Sequence, residues 1–239
     1  PQRVYRQSQG PASSALSRAK PIAYWRLDEF SGPTAADHSG HQRQAWYELG
    51  VVFFLEGPLS SQFCTGNETN RCAHFAGGRL RARIPELDKQ YSISLWFWNG
   101  MPTEAREIAG WMFSRGRDLA LDTPQGDHLG VGGTRHPGKL VLLCAANGEE
   151  KLVAGSTQIQ RWAWNHVVLV RDGDAVRVHL NGQLQPDIKT NSPAGFTVTF
   201  DQLFFGGRCD NQSNWEGRLD ETAVWDRALS AEEIEELVH

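Results

Sequence analysis

Between Trp162 and Gly182 the chain reads WAWNHVVLVRDGDAVRVHLNG, a pattern that predicts two strands joined by a tight turn. Residues 164–171 are β-branched or apolar with few breaks, Asp172-Gly173 supplies the positive φ that a two-residue hairpin turn needs, and Asn181-Gly182 repeats that signal. On the return strand Val176, Val178 and Leu180 face one way, while Ala175, Arg177 and His179 face the other. The outgoing strand is apolar on both faces (Val167 and Leu169, Val168 and Val170), which predicts a place inside a sheet rather than at its edge.

The same alternation recurs along the chain. YSISLWFW at 91–98 sets Ile93, Leu95 and Phe97 against Ser92, Ser94, Trp96 and Trp98. Strands are predicted at 21–29, across 46–55 with Gly50 in the middle, on either side of Gly77-Gly78, and at 108–114, 129–131, 140–144, 197–200, 203–205 and 218–225. A helix-period stretch appears only at the end, where Ser230 and Glu233 form a capping box ahead of Ile234 and Leu237. Many short strands with one terminal helix predict an all-β fold, a two-sheet antiparallel jelly-roll sandwich. Residues 1–20 are polar and aperiodic and are expected to be a linker or disordered tail, leaving 21–239 as one domain.

Composition narrows the function classes. A net charge of −4 with 22% charged residues gives no electrostatic case for nucleic acid or an anionic membrane surface, and no apolar run is long enough for membrane insertion. The chain starts without Met and without an apolar signal core, which suggests a piece of a longer, processed protein. Nine Trp against two Met either fill a wide core or place two or three indoles on a ligand surface. Cys64 and Cys72 bracket seven polar or turn-forming residues, a spacing that suits a local disulfide in an oxidising compartment; two unrelated thiols are the alternative. Cys144 and Cys209 are either a long-range pair or two buried thiols. Asn67-Glu68-Thr69 and Asn211-Gln212-Ser213 have the form of glycosylation sequons.

Motifs of catalysis are missing. There is no G-x-S-x-G elbow, no P-loop and no H-E-x-x-H, and Asp118, Asp122 and Asp127 lack the spacing of an EF-hand loop. His166 and His179 lie inside hairpin strands, where hydrogen-bonded structural roles are the common ones. Laminarinase-type glycosidases set paired acids on one strand as E-x-D-x-(x)-E, and no such triplet occurs. Asp220-Glu221 are adjacent in a predicted strand, so alternation would point them to opposite faces. The expectation is therefore that the protein is not an enzyme.

YWRLDE, SISLWFW, the W-x-H-V-V-L-V-R-D-G hairpin and GRLDETAVWDRALS together resemble the laminin-G-like, concanavalin A-like jelly roll over 21–238. FSRGRD, DHLGVGGT and LFFGGRCDN are similar to versions embedded in large secreted bacterial multidomain proteins of planctomycete type. The resemblance implies two packed antiparallel sheets, often a structural calcium ion, and a role in binding glycans or proteins. On that basis the protein is expected to be a carbohydrate-recognition or adhesion module, extracellular or periplasmic, partnered by a carbohydrate or glycoprotein and by other domains of its parent chain. A structural spacer beside a catalytic domain and a degenerate glycosidase are the rival readings. Sugar sites pair an aromatic face with planar polar groups; the candidates near strand ends are Trp111, Arg115, Asp127, His128, Arg208 and Trp215. The resemblance also places the first and last strands side by side, bringing Asp28 near Asp220, with a carbonyl from the Gly77-Gly78 turn completing a calcium site at Asp28, Gly78 and Asp220. Pairing of these acids with Arg26, Arg218 or Arg227 is the alternative.

Overall fold

In a computed structural model the structure describes residues 8, 10–66, 68–119, 125–193 and 200–238. The strands are β1 (Ala23–Trp25), β2 (Thr34–Ala35), β3 (Ala45–Tyr47), β4 (Val51–Glu56), β5 (Arg71–Ala76), β6 (Leu80–Arg83), β7 (Gln90–Asn99), β8 (Ile108–Arg115), β9 (Gly126–Gly132), β10 (Lys139–Ala146), β11 (Glu149–Gln158), β12 (Trp164–Asp172), β13 (Ala175–Leu180), β14 (Ile188–Asn191), β15 (Gln202–Phe205) and β16 (Glu216–Trp225), and the helices are α1 (Pro11–Arg18) and α2 (Ala231–Glu236). They form two antiparallel sheets. Sheet A runs β14-β13-β12-β7-β16-β5-β4 with β1 added against β16, and sheet B runs β11-β10-β9-β8-β15-β6-β3-β2. This is the jelly-roll sandwich that the alternation predicts.

The hairpin holds as read. β12 lies inside sheet A between β7 and β13, and its middle residues are buried on both faces, by the core on one side and the helices on the other. Val167 and Leu169 enter the core between the sheets, while Val168 and Val170 face outward under the helices. The turn itself is Gly173-Asp174, one residue later than expected, with Gly173 at φ +62° between the paired Asp172 and Ala175. Ile93, Leu95 and Phe97 point into the same core, joined by Phe113, Leu129, Leu140 and Leu142 from sheet B. The stretch 46–55 is two strands in different sheets, separated at Gly50 with φ +93°. Of the strand expected at 197–200, residues 197–199 lie outside the described residues, and Phe200 is in no strand.

Residues 11–18 overturn the expectation of a tail over 1–20. They form α1, in which Ala12, Ala15 and Leu16 are buried, and Leu16 packs on the outer face of sheet A in one cluster with Tyr24, Val168, Trp225 and Ile234. Small residues hide this helix from a periodicity test, since only Leu16 is strongly apolar. The Trp225 indole N–H closes the dock by donating to Ala19 O at 2.9 Å. α2 begins with the capping box expected of it, Ser230 Oγ accepting from Glu233 N at 3.2 Å and Ser230 N donating to Glu233 Oε2 at 2.9 Å.

A buried ion pair crosses the core. Asp127 of β9 and Arg171 of β12 are both fully buried, Arg171 Nε lies 2.5 Å from Asp127 Oδ2, and Tyr91 of β7 also donates to Asp127. Burial works to raise the Asp127 pKa, but Arg171 and Tyr91 outweigh it and hold the carboxyl below the usual range. Removing one partner strands the other in a dry core. Arg171→Met is therefore expected to lower unfolding free energy by about 3–5 kcal/mol, while Asp127→Leu with Arg171→Met recovers most of that loss. Guanidinium unfolding midpoints of the two variants check this; a double variant no better than the single would refute the electrostatic account.

Candidate functional site

β1 pairs with β16 through Ala23–Val224, Tyr24–Ala223 and Trp25–Thr222, so the two ends of the chain meet as expected. The acids at this junction are arranged differently from the strand reading. Register along β7 slips between Asp220 and Ala223, and Glu221 takes φ +48°. This bulge breaks the alternation, so that Asp220 and Glu221 are both buried and act on each other. Asp220 Oδ2 accepts from Asn70 Nδ2 at 2.6 Å and Oδ1 from Glu221 N at 3.0 Å. Glu221 takes the Tyr24 hydroxyl and, at 3.1 Å, Arg26 Nη2, which also reaches Ser8 O at 2.7 Å. The N-terminal segment thus seals a polar network on the outer face of sheet A.

That arrangement does not fit the calcium ion expected from the resemblance. Gly78 lies beyond Ala76, which pairs with Glu216, so it is at least about 13 Å along β16 from Asp220 at ~3.3 Å per residue. Its backbone instead closes on the 49–50 turn, where a Cβ at 78 would meet Leu49 O at 2.4 Å. The oxygens of Asp220 and Glu221 are occupied by protein donors, and the Arg26 guanidinium pairs with Glu221 rather than with Asp220, so the alternative of an arginine on Asp28 or Asp220 is met only by a neighbouring pair. Among the described residues no group of three or more His, Cys, Asp or Glu is placed to hold a metal.

The disulfide expectation is also corrected. Cys64 and Cys72 are both free, as are Cys144 and Cys209. Cys64 sits in the turn after Ser60, whereas Cys72 is inside β5 with its thiol on Glu56 O at 3.3 Å, so the strand pairing β4–β5 claims it. Of the sequons, Asn67 lies outside the described residues.

The six candidate ligand residues divide. Arg115 and Asp127 face the core: Arg115 donates to Phe200 O, Asp88 O and Leu87 O at 2.9, 2.7 and 2.5 Å, and its guanidinium lies 4.7 Å from the Tyr91 ring centroid. Trp215 is a core residue packed on Phe97. Neither Trp is a free stacking platform. The other three gather on the outer face of sheet B. Trp111 is 2% exposed, with the Arg208 guanidinium 5.3 Å from its ring centroid and His128 at its edge, ring centroids 6.1 Å apart. His128 Nδ1 is 2.8 Å from Ser114 Oγ, and Ser114 Oγ accepts from Cys209 N at 2.9 Å. Asp210 pins Arg208 by two contacts, of 2.8 and 2.7 Å.

Above Trp111 opens a concavity of about 320 Å³ lined by Ile108, Trp111, Leu143, Leu152 and the charged Glu107, Arg135, Glu150 and Arg208. Trp111 and Leu143 belong to an outer cluster that they form with the fully buried Val141, and Glu107 pairs with Arg135 at 3.2 Å. Further along the same face a second hollow of about 180 Å³ is lined by Trp46, Arg81, Arg83, Asp118, Gln202 and Phe204. Trp46 is 50% exposed, and Arg79, Arg81, Glu48 and Asp118 form a closed ring of ion pairs beside it. Strand alternation could have found Trp46, because Ala45 and Tyr47 are buried on either side of it.

The chain is thus a two-sheet antiparallel β-sandwich whose sheet B carries aromatic and planar charged groups on its outer face. The chain belongs to the concanavalin A-like lectin/glucanases superfamily: its laminin G description matches residues 76–235. No curated protein matches the chain. Among solved structures it is similar to domain 4 of AbnA, an extracellular arabinanase from Geobacillus stearothermophilus in complex with arabinotriose, at 15% identity and TM-score 0.64, covering 92% of this chain and 98% of that one. It is also similar to the binding domain of Paraclostridial Mosquitocidal Protein 1 (15% identity, TM-score 0.64, 92% of this chain and 52% of that one). A third is a structure of botulinum neurotoxin type C, whose cell entry depends on two ganglioside molecules (13% identity, TM-score 0.63, 94% and 52%). The chain spans about half the length of these two toxin chains. At such identities the likeness shows the fold.

Two expectations follow from the acid network. Burial, and then the neighbouring Glu221, push the Asp220 carboxyl well above its ordinary range; burial likewise raises Glu221, against the pull of Arg26 and Tyr24. The folded state therefore binds these protons more readily than the unfolded chain, and stability is lost as pH rises from the ordinary carboxylate value of about 4 through the raised values. Asp127 acts in the opposite sense, but only below its usual value. Thermal midpoints are expected to rise between pH 8 and pH 5, with a flatter slope in Asp220→Asn; an unchanged slope would place the titration elsewhere. Because Arg26 supplies the positive charge, adding a chelator is expected to leave the midpoint unmoved, and a calcium-dependent rise would return a cation to this junction.

Proposed function

We propose that this domain is a non-catalytic carbohydrate-binding module of a larger exported protein, and that the outer face of sheet B is its ligand surface. The observation that carries this reading is the 320 Å³ groove, with an apolar floor of Ile108, Leu143 and Leu152 beside the small exposed edge of Trp111, and a rim of Arg208, Arg135, Glu107 and Glu150. A sugar ring has one apolar face and an edge of hydroxyls; such a floor and rim suit both. Trp46 extends the same face toward β3, long enough for several linked sugars. The arabinotriose bound to the arabinanase domain and the gangliosides named for the neurotoxin support the ligand class.

The case against catalysis rests on where the acids are. The coupled pair with raised pKa values, Asp220 and Glu221, is sealed beneath Tyr24, Arg26 and Ser8 and cannot touch a substrate. In the groove Glu107 is committed to an exposed pair with Arg135. An extracellular or periplasmic location fits this role; among the described residues no helix is long and apolar enough to cross a membrane.

A glycan array followed by calorimetry tests the proposal. Binding to a neutral oligosaccharide, an arabino- or gluco-oligomer, is expected, weakened about tenfold or more in Arg208→Ala, the loss of roughly 1.4 kcal/mol that one charge-assisted contact provides. Hydrolysis of the same oligomers is expected to be flat. A blank array would favour a structural spacer, and turnover that survives Arg208→Ala would point to an enzyme.

A further inference from the structure

The outer face of sheet A is only partly covered. The helices lie over Val168, Val170, Ala223 and Trp225, and Phe63 packs edge-on against Trp96, ring centroids 4.9 Å apart. Among the described residues the cover ends one row further along the strands. There the register aligns Trp164 of β12, Trp98 of β7, Arg218 of β16 and His74 of β5, with Val52 of β4 beyond. Each of the first four is half-buried, and their sequence neighbours Phe97, Leu219, Ala73 and Phe75 fill the core, so alternation turns this row outward. Three strand spacings make it about 14 Å long at ~4.8 Å each.

The row is built of planar groups, and its arginines lack acids. The Arg218 guanidinium lies 4.9 Å from the Trp98 ring centroid and donates to Glu56 O at 2.6 Å. In the turn before β12, Trp162 N donates to Asn99 O, next to Trp98, at 3.0 Å; Arg161 lies 4.3 Å from the ring centroid of Trp162, which is 62% exposed, and donates to Gly100 O at 2.6 Å. Among the described residues neither guanidinium has a carboxylate within ion-pair distance; the nearby Glu216 is 3.8 Å from Arg106 instead. An arginine laid flat on an indole and tied by one carbonyl is already ordered, so its remaining N–H donors can meet a carboxylate with little further loss of freedom. The net charge of the whole chain is −4, so this is a local excess of positive charge on an acidic protein.

We propose that this row is a second binding site, separate from the sheet B groove, that takes an acidic oligosaccharide: a chain of uronic-acid units. The carboxylates would pair with Arg218 and Arg161, and the sugar rings would lie along the indoles of Trp164 and Trp162. The half-buried indoles offer flat apolar faces to sugar rings, and the guanidinium groups without carboxylates favour anionic sugars over neutral ones.

Calorimetric titration of the intact chain with a de-esterified oligogalacturonate tests this. Binding is expected, falling at least tenfold in Arg218→Ala and in Arg161→Ala, falling less in Arg218→Lys, and weakening as salt rises because the pairs are near solvent. Arg161 lies outside the regular strands, so its variant keeps the test meaningful if Arg218→Ala folds poorly. The methyl-esterified oligomer, with the same rings and no charge, is expected to bind at least tenfold more weakly. The proposal is overturned if both oligomers bind equally, if neither binds, if poly-glutamate competes as well as the oligogalacturonate, or if Arg208→Ala rather than Arg218→Ala abolishes binding. The last outcome would assign the acidic sugar to the groove of sheet B and leave that site standing.

Discussion

Two sheets facing each other across an apolar core can slide, and hydrophobic contact alone opposes sliding only weakly because it has no direction. The Asp127–Arg171 pair does have direction. It joins β9 of one sheet to β12 of the other, with Tyr91 of β7 contributing a further donor and Arg115 of β8 stacked on Tyr91 and tied to three carbonyls. Four strands from both sheets are therefore fixed at one end of the sandwich by groups that cannot be left unpaired in a dry interior. Such a network adds little net stability over apolar packing. Its contribution is a single register between the sheets, which every surface feature on the two outer faces inherits.

The second fixed point is the meeting of the chain's ends. β1 lies on β16 beside the bulge at Asp220 and Glu221, and Ser8, Tyr24 and Arg26 close over it. A bulge usually bends a strand or re-aims a side chain. Here it sets two acids on a face that would otherwise carry only one, and the N-terminal segment supplies the donors that they require. The covered and open halves of sheet A's outer face follow from this. α1 and α2 pack where the side chains are apolar, and the cover stops where the row of Trp98, Trp164 and Arg218 begins.

How much of this was legible in the sequence depended on whether the signal was local. The β12–β13 hairpin, YSISLWFW and the Ser230 capping box carry their own period or cap and were read with little error. β11 was missed because EEKLVAGSTQ is an edge strand, polar on its open side and backed by few strong apolar residues. Asn147-Gly148, both at positive φ, was the hairpin signal that marked it. Arg115 and Asp127 looked like surface groups because the partner that lets Asp127 be buried, Arg171, is 44 residues away in the chain and on the other sheet. Trp215 misled for a related reason: a Trp next to a turn can face either way, and nothing nearby says which. Cys64 and Cys72 are close in sequence, but strand pairing sends them apart. By contrast Trp46 and Trp98 were readable, since each alternates with core residues and must therefore face outward.

That asymmetry explains why the fold is shared so widely at 13–15% identity while ligands differ. A sandwich core asks for volume and alternation, which many sequences supply. The outer faces are free of that demand, and a residue there can change without disturbing the register that the buried network fixes. An exposed indole or an arginine without a carboxylate on such a face therefore needs a different explanation from a buried one: solvation opposes leaving an indole in water, and packing does not require it. On sheet B the exposed Trp46 and the groove over Trp111 share one face. On sheet A Trp164, Trp98 and Arg218 share another. The core holds the two faces back to back at a fixed register, so a chain with both could hold two different ligands at once without either site deforming the other.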